Sequence, residues 1–376
     1  QLAPIDKARA EKLIAKKITY ASLPSSSGPF ILAIQKSPLI ATFKRNPKWK
    51  QNTDPIRSPH VDKVEWRQFP SQKRVEEALM KGQIDLAIGA GLSTNTATQF
   101  LSQSSTAKQV DEVPISSINF LALVQNSNPM KRLDCRRAIS YAIDKNDIVR
   151  VRGGQTVSSV AHTLIPPFVA GWSSADSSET SEFQVDISQS QSALLKCGYP
   201  DGFEMNLAFL DLGIGRDIYL SLQRSLARVG IIVNPIPFSD FAAFFSTGVG
   251  SPEFVKSKKI DAVLASWGPE SPTAASFWTP LISSRHIRAQ GNQNLALLKN
   301  AEIDSLLGQL SGTPDLTGQS GLSRRIAARV ADLMVYLPIN VDKYALFRPK
   351  HLSNLYIQPH SGYGYDIVNV ANVTNR

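Results

Sequence analysis

The sequence is poor in the residues from which active sites are usually built. Its 376 residues include two cysteines and five histidines. Cys135 and Cys197 are far apart in the chain, with no CxxC partner and no histidine at ligand spacing, so a zinc site is not expected. They read either as a disulfide, in an exported chain, or as two free buried thiols. No G-x-S-x-G elbow or H-E-x-x-H helix occurs, and no pair of carboxylates is marked by its spacing as acid and base. These absences exclude the common hydrolytic and metal-dependent chemistries. The reading is therefore not an enzyme, with no metal and no cofactor.

Long hydrophobic runs are also missing. No apolar stretch reaches the ~18 residues that cross a bilayer as a helix. Gln1 is followed by neither a signal-like n-region nor an h-region, so the chain reads as processed or as a fragment. Gly89-Ala90-Gly91 follows a predicted strand. It lacks both the Lys-Ser/Thr of a phosphate loop and the third glycine of a dinucleotide fingerprint, and so reads as a strand-end turn. Negative charge is the scarcer sign: 31 Asp and Glu stand against 41 Lys and Arg, for a net charge of +10. A nucleic-acid face would gather the basic residues and interleave aromatics. Here they are scattered, with local groups at 7–17, 44–50 and 256–259, which predicts a solvated basic surface and no nucleic-acid partner.

What is present is a globular composition, 42% hydrophobic and 19% charged, in a chain long enough for two lobes. Alternation predicts strands at 31–35, 39–44 and 63–69, a helix at 71–81 and a strand at 84–88. A helix at 7–17 precedes them, and a buried strand at 118–124 follows. The stretch 134–148 reads as one helix, with Asp134 as N-cap and an apolar stripe of Cys135, Ala138, Ile139, Ala142 and Ile143. After a Ser-rich loop at 173–181 come a helix at 188–197 closed by Gly198, a strand at 205–210, a helix at 218–229 and strands at 231–236 and 259–267. A helix at 322–336 and a strand from 337 to about 346 complete the pattern. Strand, helix and strand thus occur in both halves, which argues for α/β lobes.

The wording of several stretches is more specific than their periodicity. Asp134-Cys135-Arg136-Arg137-Ala138-Ile139-Ser140-Tyr141-Ala142-Ile143-Asp144-Lys145 resembles a phrase of bacterial extracytoplasmic solute-binding proteins of family 5. Those are the oligopeptide, dipeptide and nickel receptors of ABC importers. Phe43-Lys44-Arg45-Asn46-Pro47-Lys48-Trp49, Gln83-Ile84-Asp85-Leu86-Ala87, Cys197-Gly198-Tyr199-Pro200-Asp201-Gly202-Phe203 and Asn300-Ala301-Glu302-Ile303-Asp304-Ser305-Leu306 resemble further phrases, in the family's order. The tail Gly362-Tyr363-Gly364-Tyr365-Asp366 resembles its closing segment.

The resemblance implies a two-lobe α/β fold like that of periplasmic binding proteins, type II and cluster C-like. Residues 1–118 would form the first lobe, 119–337 the second, and 338–376 the return to the first. Members usually carry more residues before the segment that begins here. The first lobe is therefore expected to be incomplete, with an open sheet edge and weakened affinity or self-association. In an actinobacterial-type branch of the family, cysteine occurs at the places of both Cys135 and Cys197, which favours the disulfide.

The implied function is capture of peptides or similar amine-bearing solutes by lobe closure, with delivery to the membrane subunits of an ABC permease. The implied location is extracytoplasmic, with the full-length form anchored as a lipoprotein. The alternative is a receptor-like lipoprotein with a non-transport task in cell-envelope glycolipid synthesis. Both readings place the solute at the loop after strand 259–267, since ligands of α/β sheets collect at the carboxyl ends of strands. In peptide-binding members an Asp three positions after the tryptophan pairs with the peptide's ammonium group, and here a carboxylate is retained on a stem one methylene longer. Glu270 holds that position here, beside Trp267, Gly268 and Ser271. Some members fix the solute's carboxylate with an arginine on the preceding strand, but Ala262, Val263, Leu264 and Ala265 stand there. Phe241, Phe244 and Phe245 read mainly as core packing, with Phe245 added to the candidate contacts as a stacking surface.

Overall fold

The computed structural model describes residues 26–89, 91–173, 185–271, 273–357 and 364–372. The expected helix at 7–17 lies outside them, as does most of the loop at 173–181. The chain divides into two compact units. One holds the described residues up to Asp111 together with those of 345–357 and 364–372; the other is Glu112–Tyr344. The boundaries expected at 118/119 and 337/338 both fall within the second unit.

The first unit opens with an antiparallel sheet of β1 (Phe30–Ser37), β2 (Ile40–Arg45) and β3 (Lys63–Arg67) in that order. Asn46 closes its open end, its amide donating to the Gly28 carbonyl at 2.8 Å and the Ser26 carbonyl at 3.1 Å. Two helices follow, α1 (Gln72–Met80) and α2 (Thr94–Leu101), N-capped by Ser71 and Ser93. The buried Glu76 carboxylate joins them, accepting from the Ser93 hydroxyl at 2.9 Å and the Thr96 hydroxyl at 2.6 Å.

The strand expected at 84–88 does not form; that stretch is irregular backbone. Ile84 and Ala87 still pack against the unit's small core of Leu79, Leu92, Ala97, Val110 and Ala345. Apolar alternation reports burial here, but no neighbouring strand among the described residues supplies a ladder, and without one the extended run is not a strand.

The second unit is built on a mixed sheet. Its strands are β4 (Val110–Pro114), β5 (Ile118–Leu123), β6 (Ser158–Val160), β7 (Glu204–Leu210), β8 (Ile232–Phe238), β9 (Ala262–Trp267) and β10 (Tyr336–Phe347). Their order is β4-β10-β5-β9-β7-β8, with β6 also pairing with β10. The chain changes unit within β4 and again within β10.

The central strand β5 is an almost unbroken apolar run because both of its faces are covered. Ile118, Phe120 and Ala122 enter one core, while Leu121 and Leu123 enter the other. The second core is covered by α3 (Leu133–Ala142), α4 (Lys145–Val151), α5 (Ile187–Lys196) and α6 (Gly215–Ala227). The first is covered by α7 (Ala274–Ile282), α8 (Ala301–Ser311) and α9 (Leu316–Leu333). β8 carries Pro235 and Pro237, which an edge strand tolerates because half of its backbone donors have no ladder partner to lose.

The helix expected over 134–148 is two helices. Ile143 is extended (φ −71°, ψ 123°), and the Asp144 carboxylate caps α4 by accepting from the Asp147 N–H at 2.9 Å. A local cap thus outcompetes continuation of the apolar stripe. Asp134 is not the N-cap: Arg132 is, and Asp134 sits in the first turn, paired with Arg137 at 3.1 Å. Cys135 on α3 and Cys197 at the end of α5 are joined by a disulfide, with 5.4 Å between their Cα atoms. Gly198 then turns the chain at φ +80°, a left-handed conformation that favours glycine.

Candidate functional site

Three strands of the second unit are parallel, with β8 and β9 flanking β7. The register pairs Leu210 with Phe238 and Leu207 with Ala262, so all three run out at the same edge of the sheet. Partial positive and negative backbone dipoles and freely shaped loops gather at such an edge, where α/β folds hold ligands. The antiparallel β5 enters from this edge, since Ile118 pairs with Trp267. The segments at 116–117, 239–248 and 268–271 therefore meet the sheet on one side.

The loop after β9 is held at both ends. A Cβ added to Gly268 would lie 2.7 Å from the Ser116 carbonyl oxygen and 3.1 Å from Ser117 Cβ, so only glycine lets these backbones approach. At the far end, Thr273 caps α7 by accepting from the Ser276 N–H at 3.2 Å, and the Ser276 hydroxyl accepts from the Ser271 N–H at 2.9 Å. The Ser271 and Thr273 hydroxyls are 3.2 Å apart. Ser271 is thus committed to shaping the loop.

Trp267 is half-buried on the first core, and its indole N–H donates to the Phe277 carbonyl at 2.8 Å. That bond uses its one polar group internally, leaving only the ring for a solute. Glu270 is exposed, and among the described residues no hydrogen bond or ion pair engages its carboxylate. A fixed loop therefore presents an unengaged anionic group at the strand edge.

The phenylalanine run after β8 divides by depth. Phe244 is fully buried, Phe245 is half-buried on the same core as Trp267, and Phe241 is 62% exposed. The Phe245 ring stands 4.8 Å from each of the other two. Trp267, Gly268, Glu270, Ser271 and Phe245 all belong to this edge of one unit. The disulfide of Cys135 and Cys197 belongs to the opposite core.

Sequence reasoning missed two aromatic residues at the same edge. The buried Ser116 hydroxyl donates to the Pro167 carbonyl at 2.9 Å, which sets Phe168 and Trp172 beside the segment that touches Gly268. Phe168 is 46% exposed, and its ring is stacked on that of Trp172 with 6.4 Å between centroids. Pro166 and Pro167 precede Phe168 in the chain, but nothing in the letters indicates that the aromatic after them is exposed. Among the described residues no cluster of histidine, cysteine and carboxylates has the makings of a metal site, and no helix is long and apolar enough to cross a membrane.

Comparison with known proteins gives concordant findings. The model of "Bacterial extracellular solute-binding proteins, family 5 Middle" matches residues 1–289. Heme-binding protein A of Haemophilus influenzae is 23% identical over 362 residues, covering 93% of this chain and 60% of its own length. A glutathione-binding protein of Salmonella paratyphi A is 21% identical over 351 residues, covering 91% of this chain and 64% of its own. The solved structure of "Clavulanic acid biosynthesis oligopeptide binding protein 2" superposes with a TM-score of 0.85 at 29% identity, over 94% of this chain and 64% of that one. The chain thus spans somewhat under two thirds of the length of the relatives it matches. The mixed α/β fold is that of the two-lobe periplasmic binding proteins, as its wording implied.

Proposed function

This chain belongs to the bacterial extracellular solute-binding proteins of family 5, and from that premise we propose that it is the substrate-binding part of an ABC importer. It captures peptides or similar amine-bearing solutes outside the cytoplasm and hands them to a membrane permease. Hinge closure over the solute is the working motion that the family's two-lobe fold implies. The mature protein is held at the membrane as a lipoprotein.

The observation that carries the choice of solute is the Glu270 carboxylate: exposed, unengaged among the described residues, and carried on an anchored loop at the carboxyl end of a parallel strand. An ammonium group meeting it makes a charge-assisted hydrogen bond, which strengthens as closure excludes water. The named ligands of relatives support the range without choosing within it, since one is described as glutathione-binding and one as an oligopeptide-binding protein. Trp267 and Phe245 supply ring surface for side chains, and Gly268 and Ser271 keep the loop in shape. The binding step needs no catalytic group.

The test is mass spectrometry of small molecules released when the purified protein is denatured. The proposal expects a family of peptides from the wild type and their loss from Glu270→Ala. Sugars or lipids without peptides would overturn it in favour of an envelope role.

A further inference from the structure

Phe168 occupies a backbone conformation that its side chain disfavours. Its φ is +68°, in the left-handed region where a bulky residue is a genuine outlier. Such positions persist only where the surroundings over-determine them. Here the surroundings are evident. The Val169 N–H donates to the Pro166 carbonyl at 3.3 Å and the Trp172 N–H to the Val169 carbonyl at 3.0 Å, while the Ser116 hydroxyl holds the Pro167 carbonyl. Gly171 lies against Ser323, where an added Cβ would be 2.7 Å from the serine Cβ.

Burial does not explain the choice of residue. Pro167 and Val169 on either side are buried, whereas Phe168 is left 46% exposed. Glycine would adopt this φ without cost, and a polar residue would suit the exposure better. The molecule instead spends a disfavoured conformation on presenting an aromatic ring outward. That ring lies against half-buried Trp172, at the sheet edge where the Glu270 loop leaves β9.

We propose that Phe168 and Trp172 form an aromatic wall of the solute site, which receives a flat apolar group of the ligand. The inference rests on the strand-edge reading above and narrows it: the preferred solute joins an amine to an aromatic or similarly flat side chain. The amine is drawn to Glu270, and the ring lies on Phe168. Offset-stacked or edge-on aromatic pairs gain more than their buried area alone supplies, so the wall selects rings over small aliphatic groups.

The test compares Ala-Phe-Ala with Ala-Ala-Ala by calorimetry on the wild type, Phe168→Gly and Phe168→Tyr. Phe168→Gly removes the ring and relieves the backbone, so its Tm is expected to be unchanged or higher by a few degrees. Affinity for Ala-Phe-Ala should fall about tenfold while Ala-Ala-Ala is unaffected, and Phe168→Tyr should restore the preference. A Phe168→Gly variant that still prefers Ala-Phe-Ala by the wild-type margin would overturn the wall and leave the peptide reading standing. If neither peptide binds the wild type, the peptide reading fails. The wall is then judged with indole alone, by the Trp172 side-chain NMR resonance. A shift present in the wild type and absent in Phe168→Gly sustains it; equal shifts, or none in either, overturn it.

Discussion

The two faces of the second unit's sheet are put to different uses. On the face covered by α3, α5 and α6, several groups are tied into the fold. The disulfide ties α3 to the end of α5, Ser190 donates to the Ala138 carbonyl at 2.7 Å, and the stacked Phe209 and Tyr219 rings are 4.8 Å apart, with the Tyr219 hydroxyl on the Val233 carbonyl at 2.9 Å. On the other face the core is equally buried, but its edge carries a carboxylate unengaged among the described residues, an exposed ring in a disfavoured conformation and a loop shaped around Gly268. One face spends its chemistry on stability, and in the proposed function the edge of the other keeps its chemistry for a solute. Substitutions at the disulfide and at Glu270 should therefore separate stability from binding.

The largest expected effect is on the stapled face. Replacing both Cys135 and Cys197 by alanine frees a long loop in the unfolded chain and should lower stability by roughly 4 kcal/mol on the chain-entropy model. Chemical denaturation measures this, and solute affinity under native conditions should be unchanged. An affinity loss in the folded variant would break the separation.

Gly268→Ala should affect both properties. Its new Cβ meets a backbone carbonyl at 2.7 Å, and backbone does not yield as a side-chain end does. A stability loss of about 2 kcal/mol is expected from overpacking, together with weaker binding because the Glu270 loop must shift. Normal affinity in Gly268→Ala would show that the loop is not part of the site.

A smaller effect lies at the acid limb of stability. The Asp147 carboxylate is held down to about 2 by the Ser221 hydroxyl and by Arg150, with Arg224 adding a further bond at 3.0 Å, and this joins α4 to α6. A carboxyl depressed from its ordinary 3.8 to about 2 stabilises the fold fully above pH ~4 and loses that contribution as the pH falls through about 2. Asp147→Asn should cost about 1 kcal/mol at neutral pH, given that Arg150 and Arg224 are solvent-exposed. It should also flatten the acid limb between pH 4 and 2, as read by thermal unfolding across that range. An unchanged limb would assign acid sensitivity elsewhere.

Much of the sheet was legible in the sequence because β5, β7 and β9 are buried on both faces or alternate regularly, and burial is what apolar pattern reports. The pattern could not report pairing, so residues 84–88 were expected as a strand and are not one. It also did not mark the break at Ile143, where the Asp144 cap decides the backbone against an apolar stripe that continues across it. At the edge of the sheet, the β9 loop was singled out through a resemblance carried by whole phrases rather than through any property of Glu270 alone. Phe168 and Trp172 were invisible because their signal is a dihedral angle and a long-range hydrogen bond, 51 residues apart in the chain between Ser116 and Pro167. Neither leaves a periodic trace.

The central claim is that Glu270 takes the amine of the solute. The direct measurement is the affinity of Ala-Phe-Ala and of its N-acetylated form for the wild type and for Glu270→Gln. In the wild type acetylation should cost at least tenfold, since it removes the charge that a charge-assisted bond requires. In Glu270→Gln the free peptide should bind as weakly as the acetylated one. An acetylation penalty of the same size in both proteins would contradict the account and place the amine on another group.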